Sequence, residues 1–285
     1  MTKYLVTGAS GQLGALTLQA LATRVSAADI VTLTRKEADQ KALADQGFDA
    51  RLGDYSDPAS LGVALQGVDR LLLISSNEIG QRAPQHRAVI DAAQAAGVSF
   101  IAYTSILSAD KSPMALAGEH LETEQALAAS GIAHTVLRNG WYSENITMTL
   151  GQDLELGQHF GAAGEGVFAT APRADYAEAA AIVLATPGHE GKTYELAGDA
   201  GFRLADYAKT ASDITGKPIA YSDMPEAAFK AALIGAGLPE GMAGILADSD
   251  AKAKEGWLNS ASNDLSALIG RPTTPLAETI RAALG

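Results

Sequence analysis

The sequence predicts an α/β protein with a doubly wound parallel sheet and a smaller C-terminal α/β domain. Short apolar runs alternate with helical stretches through the first half of the chain, which is typical of a parallel sheet with helices on both faces. The first apolar run, residues 3–6, leads into three glycines spaced Gly-x-x-Gly-x-x-Gly. A helical pattern follows from Ala15 to Leu21. Together these features predict a Rossmann-type fold.

Further strands of the predicted sheet follow in order. Ile30 to Arg35 and Asp49 to Leu52 come first; Asp57 and Pro58 then begin a helix as its cap and first residue. The later strands start at Leu71, Phe100 and His134, and a helix from Arg82 to Ala96 stops at Gly97. Shorter elements follow residue 150. We therefore expect a dinucleotide-binding domain over residues 1–150, with a return around 172–200, and a smaller substrate or lid domain over 151–285.

Composition and charge exclude several function classes. The 285 residues carry a net charge of -12, with 21 Lys and Arg against 33 Asp and Glu, which argues against binding nucleic acid or anionic membranes. Cysteine is absent, which rules out disulfides, thiolate nucleophiles and cysteine-ligated metal. We expect no leader before the first strand, and no apolar run is long enough to span a membrane. A cytoplasmic protein without a metal is expected.

The glycine motif, Gly8 to Gly14, indicates a dinucleotide site. Its three glycines serve a tight turn, close approach of the backbone to a pyrophosphate, and close packing of the helix on the sheet. The helix N-terminus then offers unpaired N–H groups and the positive end of its dipole to the phosphates. The alternative is a purely structural turn between strand and helix.

Arg35 decides which dinucleotide is expected. In an NAD site, Asp or Glu stands at the end of the second strand, about 20 residues past the glycines. In this chain that position carries Arg35, followed by Lys36. Two cations suit the 2′-phosphate of NADP. Glu37 keeps NAD open, and a solvated charge at the strand end is the other interpretation of Arg35.

Polar and aromatic residues at the strand ends predict the rest of the site. Ser75, Ser76 and Asn77 end an apolar strand and are expected to face the cofactor, although a plain turn is the alternative. Tyr55 either flanks the adenine or belongs to the core. The segment 138–145 combines aromatic rings with amides, which suits a pocket for a nicotinamide and a planar substrate; core packing would explain Trp141 alone.

The acid pair of a ketone reductase is missing. Short-chain dehydrogenases combine a serine, here expected near Ser105, with a Tyr-x-x-x-Lys helix that donates a proton. None of the eight tyrosines has lysine four residues on. The helix after this strand carries His120, either a proton donor or, as we expect, a surface histidine. Arg173 either lines the substrate cleft or pairs locally with Asp175.

The motifs together resemble the NmrA-like branch of the atypical short-chain dehydrogenases. The blocks 79–87 and 138–145 are most similar to the quinone reductases of that branch and also resemble triphenylmethane dye reductases. The resemblance implies NADPH as cofactor and flavin-free reduction of quinones. With the motifs above, it gives the following cofactor-binding residues: Gly8, Ser10, Gly11, Gln12, Leu13, Gly14, Arg35, Tyr55, Ser75, Ser76, Asn77, Asn139, Gly140, Tyr142, Ser143 and Glu144.

The expected reaction is direct hydride transfer from NADPH to a quinone held by Trp141, Tyr142 and Asn145. A quinone accepts hydride without an acid, because resonance stabilises its product anion. Three alternatives stay open: a redox sensor that binds NADP(H) without turnover, a reductase of triarylmethane dyes, and, more remotely, a sugar-nucleotide epimerase. A monomer or homodimer that acts on a small molecule is expected.

Overall fold

Seven strands form the central sheet of this computed structural model, which describes residues 1–285. Their order is β3-β2-β1-β4-β5-β6-β8. Among β1–β6, each strand is paired in parallel with its neighbours in the sheet. The nine strands of the protein are β1 (Tyr4–Val6), β2 (Ile30–Thr34), β3 (Asp49–Leu52), β4 (Arg70–Leu73), β5 (Phe100–Ile106), β6 (Ala133–Asn139), β7 (Gln158–Gly161), β8 (Thr193–Leu196) and β9 (Ala220–Asp223). The doubly wound, Rossmann-type fold class predicted from the sequence is confirmed.

Helices connect the strands. They are α1 (Gln12–Ala22), α2 (Glu37–Ala44), α3 (Pro58–Ala64), α4 (Arg82–Ala96), α5 (Ala117–Ser130), α6 (Glu144–Thr147), α7 (Leu150–Leu156), α8 (Arg173–Ala185), α9 (Leu204–Thr215), α10 (Glu226–Gly235), α11 (Glu240–Ala253), α12 (Asp264–Ile269) and α13 (Leu276–Leu284). None of them is long and apolar enough to cross a membrane.

Local signals set several helix ends as predicted. The Asp57 carboxylate accepts the Ala59 N–H at 3.1 Å and Pro58 occupies the first turn of α3. Helix α4 runs from Arg82 to Ala96 and ends at Gly97, whose φ of 77° is in the left-handed region that favours glycine. These ends depend on neighbouring residues alone, which is why the sequence predicts them.

The chain divides into two compact units. The first contains residues 1–109, 118–139 and 173–194, and the second contains 110–117, 140–172 and 195–285. The first unit is built on the buried strands of the sheet, with β2 and β5 buried along their whole length and α1 packed on α8. The domain division expected at residue 150 stays a prediction; the units change over between residues 139 and 140.

The second unit has its own small parallel sheet of β7 and β9, against which α9 packs. A buried polar cluster supports it, since the Asp153 carboxylate accepts hydrogen bonds from the Tyr207 hydroxyl and from His159 Nδ1, each at 2.9 Å. Strand β7 was not predicted. Its residues Gln-His-Phe-Gly show no alternation, and the strand is defined by its pairing with β9, about 60 residues away in the chain.

Candidate functional site

The glycine turn is packed so closely that two of its glycines cannot be replaced without strain. Gly8 has a φ of 58°, in the left-handed region. A Cβ on Gly14 would lie 2.2 Å from the Gly8 carbonyl oxygen and 2.9 Å from the Ala9 Cα. Helix α1 therefore approaches the turn at backbone contact distance, as the motif predicts.

Gly11 is less constrained than the other two glycines, because its φ of -77° is not in the left-handed region and its Cβ would approach a single backbone atom. A Cβ there would meet only the Gly8 carbonyl oxygen, at 3.2 Å. Gly11 precedes α1 as its N-cap, and no side chain caps that helix end. The bare N-terminus of α1, next to a glycine without a side chain, fits the pyrophosphate of a dinucleotide. Its N–H groups are the donors such an anion needs.

Arg35 follows β2, as the cofactor hypothesis requires, and its side chain is 54% exposed. Its guanidinium donates to the Glu78 carboxylate in an ion pair that the sequence did not predict. Glu78 follows β4, on the other side of β1 in the sheet. The assignment of Arg35 to a 2′-phosphate stays a prediction.

Tyr55 is partly buried and packs against the core of the first unit. Its ring packs against the buried apolar cluster and meets His86 edge-on, with ring centroids 6.2 Å apart. Its hydroxyl donates to the Ile74 carbonyl at 3.0 Å, and burial raises the pKa of Tyr55. Of the two interpretations offered by the sequence, these contacts favour the core, and contact with an adenine stays a prediction.

The segment that follows β4, residues 74–78, is held by side chains from neighbouring elements. Thr7 Oγ1 accepts the Ile74 N–H at 2.9 Å, and Thr104 Oγ1 accepts the Ser75 N–H at the same distance. The Ser76 N–H donates to His86 Nε2 at 2.9 Å, and its hydroxyl donates to Gln85 Oε1 at 2.6 Å. The backbone at this strand end is therefore fixed, which a cofactor contact surface requires.

The loop after this strand is fastened by Glu119 of α5. The two carboxylate oxygens of Glu119 accept the N–H groups of Gly80 and Arg82, each at 3.0 Å. Arg82 is the first residue of α4, so Glu119 supplies the cap that this helix lacks in its own sequence. The Arg82 side chain in turn donates to the Ser76 carbonyl.

His86 is neutral in the folded protein. Burial, and then the charge of Arg82, lowers the pKa of His86 to about 3. Its Nδ1 lies 2.9 Å from the Thr123 hydroxyl, which itself donates to the Glu119 carbonyl. These partners assign the proton to Nδ1 and leave Nε2 to accept the Ser76 N–H.

His120 is buried, so the expectation of a surface histidine is wrong. It is 4% exposed, and its Nδ1 lies 2.7 Å from the Tyr103 hydroxyl. Burial, followed by the charge of Arg82, lowers the pKa of His120 well below its ordinary value. The helix face that looked polar is turned inward, because the buried tyrosine on β5 supplies a polar partner. A neutral His120 is a poor general acid.

Ser105 and Glu124 belong to a buried ion-pair network. Arg138 binds Glu124 through two hydrogen bonds, 3.0 Å from Nε to Oε1 and 2.7 Å from Nη2 to Oε2. Ser105 donates to the same carboxylate at 2.6 Å. His120 and Glu124 have the four-residue spacing of the Tyr-x-x-x-Lys pair, on the helix that follows β5. Both side chains are engaged by the protein.

The predicted substrate residues lie at the start of α6 in the second unit. Tyr142 bridges to Ala171 in parallel, the Ser143 N–H donates to the Ala171 carbonyl at 3.0 Å, and the Ser143 hydroxyl lies 2.7 Å from that of Thr170. Trp141 is 8% exposed and belongs to the core, whereas Tyr142 and Asn145 are partly exposed. Tyr142 and Asn145 therefore keep surface for a ligand.

Three further residues bear on the predictions. Arg173 begins α8, and whether it lines a cleft or pairs with Asp175 stays a prediction. Glu78 and Gln85 were assigned no role by the sequence reasoning. A signal was present, because Gln85 and His86 are adjacent polar residues near the start of a helix that directly follows a polar strand end.

Across the chain, no group of three His, Asp or Glu side chains is placed to hold a metal ion.

The parallel sheet, the bare N-terminus of α1 and the glycine turn define a dinucleotide-binding protein of the Rossmann class. A family model described as NAD(P)H-binding matches residues 8–187, and the chain belongs to this family.

Known relatives resemble this chain over nearly its full length. Quinone oxidoreductase 2 of Escherichia coli (strain K12) is 55% identical over 275 residues, 96% of each chain. The crystal structure of an E. coli NADPH-dependent quinone oxidoreductase complexed with NADPH has a TM-score of 0.96 at 54% identity, covering 99% of this chain and 100% of that chain. The Citrobacter sp. triphenylmethane reductase complexed with NADP(H) has a TM-score of 0.95 at 38% identity, covering 99% and 100%. The resemblance inferred from the sequence is confirmed.

Two glycine substitutions separate binding from folding. We expect Gly11→Val to lose dinucleotide binding but keep a native circular dichroism spectrum, because a small shift of the turn accommodates the 3.2 Å approach to the Gly8 carbonyl oxygen while the valine side chain blocks the ligand. Gly14→Ala should instead destabilise the protein by about 2 kcal/mol or more, since its Cβ meets backbone atoms. Calorimetric titration and chemical denaturation measure the two effects. Full affinity in Gly11→Val would show that the loop is only structural.

The neutral His86 predicts sensitivity to acid. Its folded pKa of about 3 lies below the unfolded value of about 6.5, so its contribution to stability is complete above pH 6.5 and is lost as the pH falls toward 3. Between pH 7 and pH 5 this loss is about 2 kcal/mol. We expect His86→Gln, whose side-chain oxygen still accepts the Ser76 N–H, to lose less stability over that interval. Parallel pH profiles of the free energy of unfolding would contradict this assignment.

Proposed function

We propose that this protein reduces quinones with NADPH as the hydride donor and without flavin. Its 55% identity to the E. coli quinone oxidoreductase and its likeness to the NADPH-bound structure support the proposal. The structural observation that carries it is the state of His120 and Glu124. The first is neutral and the second is held by Arg138 and Ser105, so the chemistry should not depend on a protein acid.

The first unit supplies most of the cofactor contacts in this proposal. The N–H groups at the start of α1 bind the pyrophosphate, and Gly11 lets it approach the backbone. Arg35 binds the 2′-phosphate. The fixed end of β4, Ser75 to Asn77, and residues 139–144 complete the proposed contacts, as the sequence predicted.

Acceptor chemistry explains why positioning is enough. When bound, NADPH supplies a hydride from C4 of its nicotinamide, the quinone becomes a hydroquinone anion, and solvent provides the proton. The protein then has to hold the acceptor ring in the orientation that reacts and exclude its other orientations. We assign that contact to Tyr142 and Asn145, which are partly exposed, and to the largely buried Trp141 beside them in the chain. A cationic triarylmethane dye is a second candidate acceptor, because the dye reductase shares 38% identity over the full chain.

The cytoplasmic location, and assembly as a monomer or homodimer, stay predictions. Neither affects the chemistry proposed for the site.

Arg35 should determine cofactor preference. A charged hydrogen bond contributes about 1.5–3 kcal/mol, so we expect NADPH to bind roughly tenfold to a hundredfold more tightly than NADH. Arg35→Ala should reduce this ratio toward unity, as measured by calorimetric titration of both cofactors. Equal affinities in the parent protein would refute the assignment.

The acceptor range should distinguish an enzyme from a sensor. We expect NADPH oxidation with benzoquinones and naphthoquinones in the absence of flavin, and none with unactivated ketones, which need a proton in the transition state. Tyr142→Ala or Asn145→Ala should lower kcat/KM by about tenfold or more through loss of acceptor positioning. His120→Ala, checked for native folding, should change kcat/KM by less than about threefold.

Two results would change the conclusion. If NADPH binds tightly but no quinone or dye is reduced, the protein is a redox sensor of the NmrA-like type. If folded His120→Ala loses quinone turnover, His120 donates a proton despite its burial.

A further inference from the structure

The ion pair between Arg35 and Glu78 lies at the carboxyl edge of the sheet, which we assign to the cofactor. Arg35 follows β2 and Glu78 follows β4, and these strands flank β1 on either side. Because all three strands are parallel, the pair spans the carboxyl end of β1, where the glycine turn begins. The guanidinium proposed to bind the 2′-phosphate is therefore occupied by a carboxylate of the same chain.

Glu78 is oriented toward this role by a buried side chain. One carboxylate oxygen faces Arg35, and the other accepts a hydrogen bond from Gln85 Nε2 at 2.7 Å. Gln85 is 5% exposed and is itself fixed by the Ser76 hydroxyl at 2.6 Å. The hydrogen bond from Gln85, and then the one from Arg35, lower the pKa of Glu78. The carboxylate is thus charged and held in place before any ligand arrives.

We propose that Glu78 is a specificity residue that competes with the 2′-phosphate for Arg35. The inference rests on the proposed role of Arg35 in NADPH binding. An incoming phosphate must either take Arg35 from Glu78 or accept a carboxylate beside its own negative charge, and both weaken binding. A cofactor that lacks the 2′-phosphate meets neither cost. Glu78 therefore lowers the affinity for NADPH selectively and narrows its preference over NADH.

The size of the effect follows from the exposure of the pair. The Arg35 and Glu78 side chains are 54% and 40% exposed. Ion pairs with this exposure contribute little free energy, and salt screens them. A phosphate dianion can therefore displace Glu78. Removing the charge should strengthen NADPH binding by a small but measurable factor.

The test is Glu78→Gln, whose amide oxygen still accepts the hydrogen bond from Gln85. Calorimetric titration at low ionic strength should show NADPH and the fragment 2′,5′-ADP binding about twofold to fivefold more tightly. The affinity for NADH and for 5′-AMP should stay within about twofold, and the gain should shrink as salt is added. In the Arg35→Ala background, Glu78→Gln should give no such gain, because the group under competition is gone.

Glu37→Gln is the matched control. Glu37 is an exposed residue at the start of α2, two positions from Arg35, and the substitution removes the same charge. If Glu37→Gln strengthens NADPH binding as much as Glu78→Gln, the effect is general electrostatics and the inference is wrong. It is also wrong if Glu78→Gln weakens NADPH and NADH alike, since Glu78 then only shapes the loop.

The role of Arg35 and the competition from Glu78 can be tested separately. If Arg35→Ala leaves the ratio of NADPH to NADH affinity unchanged, the proposed role of Arg35 fails and the competition with it. If Arg35→Ala removes the preference but Glu78→Gln changes nothing, only the competition is refuted.

Discussion

The contact between Gly14 and the turn at Gly8 is the constraint on which the dinucleotide site depends. A Cβ on Gly14 would lie 2.2 Å from the Gly8 carbonyl oxygen. There is no room for such an atom, so α1 packs directly on the end of β1. The same contact places the bare N-terminus of the helix over the turn. The close packing of α1 on the turn therefore serves both folding and anion binding, whereas a side chain at Gly11, which would meet one backbone atom at 3.2 Å, would chiefly obstruct the ligand.

A hydrogen-bond network holds the segment after β4, the strand next to this turn. The most deeply buried histidines of this network are uncharged. His86 accepts the Ser76 N–H and donates to Thr123, and His120 pairs with Tyr103. Neutral groups avoid the large cost of desolvating a charge, and each polar atom in this chain of bonds has a partner. Charge is used instead where two hydrogen bonds can offset that cost, between Arg138 and Glu124.

Features with a local signal could be predicted from the sequence. The glycine spacing, the apolar strands and the ends of α4 all follow from neighbouring residues, and the structure has them as predicted. Features decided by a distant partner could not be predicted. His120 looked like a surface residue because Tyr103, 17 positions earlier, is not visible in the pattern of its helix. The pairing of Glu78 with Arg35, and of β7 with β9, likewise joins segments far apart in the chain.

The polar groups of the helix after β5 relate the fold to the class of acceptor in the proposed reaction. A ketone requires a proton as hydride arrives, and this scaffold can meet that need with an acid of tuned pKa on that helix. In this chain the same spacing carries a histidine that burial keeps neutral and a carboxylate bound by Arg138 and Ser105. Neither side chain is suited to donate a proton, so an acceptor that stabilises its own negative charge fits the site. The burden of catalysis then falls on holding two planar rings together, a task for shape and packing more than for acid–base chemistry.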